Sequence, residues 1–270
     1  MNSGPNIPFL ITARLSSVRL PKKLLQELDG TEVISKVIER GIKAFGREQV
    51  ILCTSQLPMD DELVNVSARH GISVFRGHPE DILLRLCGAC RERNAVGFVG
   101  QTGENPIFQV DHCLRIRDLI AEGHDLVRYQ GLPIGCSPYG ISRPALETLL
   151  ATKEEEDTGF WGYLLNRPEL FDVVMVQAEE SLRMPTMRLT VDYLEDLELM
   201  RGLFSLHPGM PDLRDVIHSL RTMPELKEIN RMHVQGDLDE QAKDRLQDFF
   251  QRRGREVEQE LERQRRWFRG

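Results

Sequence analysis

"IPFLIT" (residues 7–12), followed at once by "ARLSSVRLPKK" (residues 13–23), is the stretch that decides the fold. The first part is a continuous apolar run, which is typical of a strand buried on both faces of a parallel sheet. The second part gathers four positive charges and two serine hydroxyls between Arg14 and Lys23. Because ligands of open parallel sheets bind at the carboxyl ends of the strands, we expect this basic segment to lie at a ligand-binding edge.

The alternation of apolar and amphipathic segments continues along the chain. The predicted strands are residues 7–12, 49–54, 72–75, 95–100, 125–130, 132–142, 170–178 and 187–191. The predicted helices are residues 31–45, 60–71, 79–94 and 192–204, with a further helix starting at Ser142. Apolar strands that alternate with helices predict an α/β fold with a mostly parallel central sheet covered on both faces.

The composition limits the classes of partner. The 270 residues, 40% of them hydrophobic, suffice for one large α/β domain with an appendage or for two small domains. The chain has 35 basic and 42 acidic residues and a net charge of −7. This acidic balance argues against a nucleic-acid polymer or an anionic membrane as partner. The local basic segment therefore predicts a small anionic ligand.

Three sequence features bear on the cellular location, and they agree with one another. No run of about 18 apolar residues is present, so no transmembrane helix is expected. The N-terminal residues 1–10 lack a basic segment followed by an apolar one, so no signal peptide is expected. Five cysteines are an odd number and sparse for this length, which predicts a reduced, cytoplasmic protein.

The composition changes near residue 236. We expect a main domain over residues 1–235 and a charged C-terminal helix over residues 236–270. Leu246 and Val257 belong to an apolar stripe with a spacing of eleven residues in this tail. The stripe fits two arrangements equally well: a helix folded against its own domain, or an oligomer contact.

The basic segment predicts phosphate binding by side chains. Neither of the glycine-rich phosphate motifs, G-x-x-x-x-G-K-[ST] and G-x-G-x-x-G, is present, whereas arginine offers fork-shaped donors that fit phosphate. The alternative is a solvated surface loop whose charges pair with acidic residues, and composition alone does not separate the two.

The wider motif order resembles a known family. "ARLSSVRLPKKLLQELDG" (13–30) is similar to the A-R-x-x-S-x-R-L-P-x-K-x-L signature of cytidylyltransferases that make CMP-activated sugars, including the CMP-Kdo and CMP-sialic acid synthetases. The further matching motifs are "VILCTSQLPMDDELV" (50–64), "VFRGHPEDILLRL" (74–86), "GQTGENPIF" (100–108), "LTVDYLEDLELM" (189–200) and "MPELKEIN" (223–230). Their order most resembles the spore-coat polysaccharide branch, and the likeness covers about residues 7–235.

This resemblance implies a Rossmann-like nucleotidyltransferase fold and a reaction. CMP would pass from CTP to a sugar or sugar-acid acceptor with release of pyrophosphate, in the presence of Mg²⁺, for surface glycan biosynthesis. Arg14, Arg19 and Lys23 would be catalytic, holding the triphosphate and stabilising the leaving pyrophosphate. The implied nucleotide-binding residues are Arg14, Ser17, Arg19, Lys23, Arg76, Gly77, Asp81, Thr102 and Gly103. Family members are often homodimers, so a homodimer is expected.

The implied metal ligands are Glu104 and Asp192. Some of the residues assigned by the resemblance have an alternative structural role, and others differ from the residue that the family has at that position. Asp192 is also a candidate N-cap, with Glu195 at the capping-box position, and Asp81 is a candidate helix cap. Lys22 stands where the family commonly has glycine. Glu104 stands where the family has aspartate, and it reaches one methylene further.

The acceptor half departs from the family pattern. Residues 133–142 carry no acid where the branch has an aspartate, and residues 154–171 replace its Glu-His-Val-Thr element. Phe160 and Trp161 are candidates for stacking on a sugar, with core packing the favoured alternative. Two other functions therefore stay open: a sugar 1-phosphate nucleotidyltransferase using another nucleotide, and a nucleotide-binding homologue without catalysis.

Overall fold

The computed structural model describes residues 4–269, without the side chain of the last of these. The outer ends of the two predicted domains, and part of the N-terminal segment considered for a signal peptide, lie outside the described residues. The strands are β1 (Phe9–Thr12), β2 (Glu27–Leu28), β3 (Thr31–Glu32), β4 (Val50–Ser55), β5 (Ser73–Gly77), β6 (Gly97–Thr102), β7 (Leu126–Gln130), β8 (Tyr139–Ser142) and β9 (Val173–Gln177). The helices are α1 (Val33–Phe45), α2 (Asp61–His70), α3 (Ile82–Glu92), α4 (Val110–Glu122), α5 (Arg143–Thr152), α6 (Gly162–Leu165), α7 (Leu194–Leu206), α8 (Leu213–Thr222), α9 (Glu225–Glu228) and α10 (Glu240–Arg269).

The central sheet has seven strands in the order β5-β4-β1-β6-β8-β7-β9. Every pairing in it is parallel except those of β8, which runs antiparallel to both neighbours. From β1 the chain goes to β4 and β5 on one side of the strand, and it then crosses back to β6 on the other side. The loops after β1 and β6 therefore meet at the point where the strand order reverses, which is where such sheets bind ligands. The predicted mostly parallel α/β fold is confirmed.

Alternation along β1 explains why the sheet is covered on both faces. Leu10 packs into the apolar core that includes residues of α3 and α5. Phe9 and Ile11 point the other way, into the core that includes residues of α1 and α4. All three side chains are fully buried. Burying both faces of the strand next to the basic segment gives that segment a rigid base.

The segment 187–191, predicted as a strand, is not one. Arg188 forms a single parallel bridge with Ile134, and the pairing does not extend beyond it. The partner segment turns away at Gly135, whose φ is +94° and whose Cα lies so close to Leu189 that an added Cβ would be 2.3 Å from the Leu189 carbonyl oxygen. The partner is thus a loop that touches residues 187–191 at one point only, so no ladder forms.

The start of α7 also differs from the expectation. Its N-cap is Tyr193, and Asp196 rather than Glu195 completes the cap. The Asp196 Oδ2 accepts the backbone N–H groups of Asp192 at 3.0 Å and Tyr193 at 3.1 Å. Because the helix begins later than predicted, the Asp192 carboxylate is not used as a cap and is free for other partners.

The apolar stripe of α10 packs against its own domain. Leu246, Phe250, Val257 and Leu261 are buried in the core that also contains residues of α5. This is the first of the two arrangements that the stripe allowed, and an oligomer contact by the tail stays a prediction. Across residues 4–269, none of the helices combines the length and the apolar character needed to cross a membrane.

Candidate functional site

The basic loop, residues 13–23, begins where β1 ends at the switch point of the sheet. Its shape is held by Asp60, whose Oδ1 accepts the backbone N–H of Leu15 at 2.8 Å. The other oxygen of Asp60 accepts the hydroxyl of Ser55 at the end of β4. Asp60 is 1% exposed. A buried carboxylate therefore ties the loop to the neighbouring strand.

Lys22 and Lys23 have opposite surroundings although they are adjacent. Lys22 adopts φ 51° and ψ 34°, a left-handed backbone that glycine adopts most readily. Its side chain is 60% exposed, and its Nζ pairs with Glu62 at 2.7 Å. The left-handed turn directs the following lysine inward, so Lys23 is largely buried in the site.

Lys23 lies between two carboxylates. Its Nζ is 2.8 Å from Asp192 Oδ1 and 3.7 Å from Glu104 Oε1. The backbone N–H of Val191 donates to the carbonyl oxygen of Glu104 at 3.0 Å, which holds the two acidic segments side by side. Arg19 Nη2 reaches the same oxygen of Asp192 at 3.1 Å. The structure thus brings together four of the predicted residues.

The charges in this cluster support one another. Burial opposes the charge on Lys23, but Glu104 and Asp192 outweigh it and raise the pKa of Lys23 above its ordinary value. Burial likewise opposes the charge on Asp192, but Lys23, Arg19 and Arg188 hold the pKa of that carboxyl below its ordinary value. Both groups are therefore charged at neutral pH.

Arg19 is held over an aromatic ring at the mouth of the site. Its Nη1 donates to the hydroxyl of Tyr193 at 3.1 Å, and its guanidinium lies 4.9 Å from the ring centroid. The hydrogen bond to Tyr193 is the main cause that raises the pKa of Arg19, and Asp192 adds to it. Half of the Arg19 side chain is exposed, so it can meet an incoming anion.

Arg14 and Arg85 converge on the opposite wall. Arg14 pairs with Glu80 at 3.0 Å and donates to the carbonyl of Pro79. Arg85 Nη1 donates to the carbonyls of His78 at 2.8 Å and Pro79 at 3.2 Å. In the part of the chain that the structure describes, Arg85 has no carboxylate partner although it is 1% exposed. Burial, and secondarily Arg14, lowers the pKa of Arg85.

Sequence reasoning missed Arg85 as a site residue. The residue is the last but one of the motif "VFRGHPEDILLRL" (74–86). The available signal was an arginine on the apolar face of a helix, where a charge needs a reason. Only the packing of α3 against the basic loop shows that this arginine faces the site.

Most of these groups line a cavity of about 450 Å³, whereas Asp192 contacts Lys23 from outside its lining. Its lining residues include Arg14, Ser16, Ser17, Arg19, Lys23, Arg85, Thr102, Glu104 and Trp161. Ser17 and Thr102 thus lie in the cavity wall, and their contact with a nucleotide stays a prediction. Gly103 lies behind the cavity wall, where a Cβ would be 2.7 Å from Ile34 and 3.2 Å from Ala13. Glycine at this position lets the end of β6 pack closely against the basic loop.

Arg76 is directed away from the cavity by its hydrogen bonds. Its Nε donates to the carbonyl of Ser55 at 2.9 Å, and its Nη2 donates to the carbonyl of Leu57 at 2.9 Å. Its Nη1 pairs with Asp61 at 2.6 Å. Gly77 packs tightly, since an added Cβ would be 3.1 Å from the Arg85 side chain. A contact of either residue with a nucleotide base stays a prediction.

Asp81 is the N-cap of α3, as its structural alternative predicted. Its Oδ1 accepts the backbone N–H of Leu84 at 3.0 Å and the hydroxyl of Thr158 at 3.0 Å. Its Oδ2 pairs with Lys153 at 2.7 Å. The structure does not bring Asp81 into the lining of the cavity. Its carboxylate instead anchors the loop that follows α5.

That anchored loop places Trp161 in the cavity wall. Trp161 is half-buried, and its ring centroid lies 4.5 Å from that of Tyr139. Phe160 is 48% exposed. The expectation that both aromatics belong to the core is wrong for Phe160, because the contacts of Thr158 with Asp81 hold the loop at the surface beside the cavity.

Asp60→Asn tests whether the shape of the basic loop matters. The amide retains one acceptor but loses the charge that receives two donors, so we expect the free energy of unfolding to fall by about 1–3 kcal/mol. We also expect several-fold weaker binding of a polyphosphate ligand, because the loop is less well ordered. Chemical denaturation and calorimetry measure the two effects. Asp61→Asn is the matched control, since the Asp61 side chain is 59% exposed. Equal losses of stability and binding in this variant would contradict the assignment of Asp60 as the residue that holds the basic loop.

The donor set of the site also fits a divalent cation. Glu104 and Asp192 already accommodate one positive charge between them, that of the Lys23 ammonium. Among the described residues no group of three or more histidine, cysteine or acidic side chains could hold a metal ion. Mg²⁺ is commonly held by one or two carboxylates together with substrate phosphates and water, and these two carboxylates meet that requirement.

The fold and the site define a class. A parallel sheet whose switch point carries a loop of arginine and lysine side chains, faced by two carboxylates, is the arrangement of a nucleotidyltransferase that grips phosphates with side chains. The chain belongs to the cytidylyltransferase family, whose model, described as Cytidylyltransferase, matches residues 9–206. The resemblance of the sequence motifs is therefore confirmed, and the protein is an enzyme of the nucleotidyltransferase type.

Relatives and solved structures agree with this membership. The spore coat polysaccharide biosynthesis protein SpsF of Bacillus subtilis (strain 168) is 27% identical over 216 residues, which are 77% of this chain and 90% of that protein. A solved cytidylyltransferase from Leptospira borgpetersenii serovar Hardjo-bovis matches with a TM-score of 0.76 at 21% identity, covering 86% of this chain and 100% of that one. The CMP:2-keto-3-deoxy-manno-octonic acid synthetase complexed with CTP matches with a TM-score of 0.58 at 14% identity, covering 74% and 99%. At these identities the two structures show the shared fold.

Proposed function

We propose that this enzyme transfers CMP from CTP to a sugar or sugar-acid acceptor and releases pyrophosphate. The observation that carries the proposal is the position of Lys23, held between Glu104 and Asp192 beside Arg19 at the switch point of the sheet. A buried cation and two carboxylates at such a point suit a metal-bound triphosphate. The structural relative that is complexed with CTP supports this nucleotide.

The reaction follows from the charges. An acceptor oxygen attacks the α-phosphorus, the bond between the α-phosphorus and the bridging oxygen of the β-phosphate breaks, and pyrophosphate leaves with the negative charge. Such transfers are catalysed mainly by positioning and by charge neutralisation. Arg14, Arg19 and Lys23 hold the β- and γ-phosphates and stabilise the leaving group. Ser17 donates its hydroxyl to a phosphate oxygen.

Glu104 and Asp192 would hold Mg²⁺, which supplies further neutralisation of phosphate charge when bound. The longer side chain of Glu104 is compatible with this role because the hydrogen bond from Val191 to the Glu104 carbonyl brings its backbone against the Asp192 segment. Arg188 also contacts Asp192, at 3.2 Å, and orients the carboxylate from behind.

The relatives and the cysteines support a biological setting for the proposal. The role of a relative in spore coat polysaccharide biosynthesis supports surface glycan biosynthesis as the pathway. All five cysteines are buried and unpaired, as suits a reducing cytoplasm. We also propose a homodimer, on the family resemblance alone.

A second candidate is a sugar 1-phosphate nucleotidyltransferase that uses a different nucleoside triphosphate. One observation favours it: Arg76 and Asp81, predicted to lie near the base, are committed to contacts within the protein. These two side chains therefore do not account for the recognition of a cytosine base.

Calorimetry with CTP, UTP, GTP and ATP, each with and without Mg²⁺, tests the proposal. We expect CTP to bind selectively, at least about tenfold more tightly with Mg²⁺, and to lose most of its affinity in Arg19→Ala. Selective binding of another triphosphate supports the second candidate instead. A folded sample that binds none of the four overturns both.

A further inference from the structure

A second cavity lies beside the nucleotide site. Its volume is about 560 Å³, within the range of small-molecule sites. Its lining residues are Arg128, Gly162, Tyr163, Asn166, Arg167, Lys243, Leu246 and Gln247. We call it the Arg128 cavity. Its lining contains three cationic side chains and no acidic one.

Arg128 is the anomaly that this cavity explains. The residue is in β7, on the same face as Leu126, where an apolar side chain would complete the core. Over residues 4–269, its guanidinium has neither a hydrogen-bonding partner nor an ion-pair partner. Burial lowers the pKa of Arg128. A half-buried cation without a counter-ion costs folding free energy, so its retention calls for a ligand that supplies the missing charge.

The other two cations differ in how far they are neutralised. Arg167 is fixed by its Nε bond to the carbonyl of Tyr163 at 3.2 Å and by its position 4.5 Å over the ring of Phe250. Its nearest carboxylate, Glu169, is 3.8 Å away and exposed. Arg167 is therefore preorganised and only weakly neutralised.

Lys243 is already neutralised. Its Nζ pairs with Asp237 at 2.8 Å and with Glu240 at 2.9 Å. The net positive charge of the cavity thus comes from Arg128 and Arg167. Asn166 and Gln247 add neutral hydrogen-bonding groups beside them.

The Arg128 cavity adjoins the nucleotide site through one short segment. Arg128 is the register partner of Tyr139, and the Tyr139 ring contacts Trp161. Trp161 lines the nucleotide cavity, whereas the next residue, Gly162, lines the Arg128 cavity. The segment belongs to residues 154–171, which replace the acceptor element of the family. Adjacent residues of this segment therefore contribute to the walls of both cavities.

We propose that the Arg128 cavity binds an anionic group of the acceptor, a carboxylate or a phosphate, away from the oxygen that attacks CTP. This assignment of the ligand to the acceptor rests on the proposed function. Two guanidinium groups, one of them without a partner among residues 4–269, match the fork-shaped geometry of both anions. The acceptors are thereby restricted to acidic or phosphorylated sugars, and neutral sugars are excluded.

The test uses Arg128→Met, which keeps the length of the side chain and removes its charge, with the exposed Arg115→Met as the matched control. Calorimetry of the full chain uses glucuronate and N-acetylneuraminate as carboxylate probes, glucose 6-phosphate as a phosphate probe, and glucose as the neutral probe. We expect either the carboxylate probes or the phosphate probe to bind wild type and Arg115→Met, and to bind Arg128→Met at least about tenfold more weakly. Glucose should not bind.

Two results overturn the proposal. One is a wild-type protein that binds CTP but none of the anionic probes. The other is an anionic probe that binds Arg128→Met as tightly as wild type. CTP affinity is measured in the same variants and should be unchanged in Arg128→Met. Failure of wild type to bind CTP counts against the proposed function alone, because anion binding that depends on Arg128 remains measurable without it.

Thermal unfolding without ligand separates a binding role from a structural one. Because Arg128→Met removes an unpaired, half-buried charge, we expect its melting temperature to be higher than that of wild type. A lower melting temperature would assign Arg128 a structural role and overturn the proposal. Arg115→Met should melt as wild type does.

Discussion

Lys23→Ala is expected to weaken CTP binding at least about thirtyfold, which is about 2 kcal/mol. Lys23 is the most enclosed cation of the basic loop, and its charge is maintained by Glu104 and Asp192. Charge-assisted bonds to phosphate are strong in such a partly desolvated place. Calorimetry with CTP and Mg²⁺ measures the loss, and it needs no acceptor.

The neighbouring lysine provides the control. Lys22→Gly removes a charge from the same loop, but that charge faces water and pairs with Glu62. Glycine also suits the left-handed backbone at this position. We expect CTP affinity within about twofold of wild type and equal or higher stability, since surface ion pairs contribute little. Equal losses in the two variants would show that only the net charge of the loop matters.

Asp192→Asn is expected to change CTP binding in opposite directions with and without Mg²⁺. In the free enzyme the Asp192 carboxylate engages Lys23 and Arg19, so its negative charge competes with the triphosphate for them. Neutralising it releases both cations, and CTP alone should bind several-fold more tightly. The gain in affinity that Mg²⁺ provides should be lost, because one of the two carboxylates is gone.

Calorimetry of CTP binding at several Mg²⁺ concentrations tests this reversal. If Asp192→Asn keeps the full metal-dependent gain in affinity, Asp192 is not a metal ligand. If CTP alone binds the variant more weakly, the carboxylate does not compete for the basic loop. Glu195→Gln is the control, because Glu195 is a nearby acid that pairs with His233 instead of with the basic loop.

Asp192→Asn should also lower the free energy of unfolding by about 3 kcal/mol, since it leaves buried cations short of a partner. Among the residues that the structure describes, Arg188, which is 4% exposed, then keeps only Asp196 as a charged partner. The pKa of Asp192 is below its ordinary value of 3.8, so its contribution is complete above that value and is lost as the pH falls through the lower, folded value. The stability difference between wild type and Asp192→Asn should therefore shrink in acid and be constant near neutral pH.

Much of the site was predictable because its residues belong to short, local patterns. Arg19, Lys23, Glu104 and Asp192 lie in short motifs that resemble those of the cytidylyltransferases, and the structure brings them together. Asp60 and Arg128 were not predictable as site residues. The significance of Asp60 depends on the distant N–H of Leu15 that its carboxylate accepts. That of Arg128 depends on the lack of a counter-ion within residues 4–269.

The start of α7 shows that the capping pattern in the sequence does not by itself determine the residue at which the helix begins. The capping pattern around Asp192 fits two registers one residue apart, with Glu195 or Asp196 as the third helical position. Arg188 and Asn230 both contact the Asp196 carboxylate, at 3.1 Å and 2.7 Å. These distant partners favour the second register, and Asp192 is left facing Lys23.

The pattern of apolar and charged residues predicted the seven strands of the central sheet, six of the ten α-helices described and a basic loop at the edge of the sheet, because these depend on neighbours within a few residues. Packing between distant segments decided the rest. It made Lys23 an inward cation and Lys22 an outward one, and it engaged Arg76 and Asp81 within the protein. It also half-buried Arg128 with no counter-ion from the described part of the chain. Burial and pairing of charges depend on which elements meet in space, and a linear pattern of residues does not carry that information.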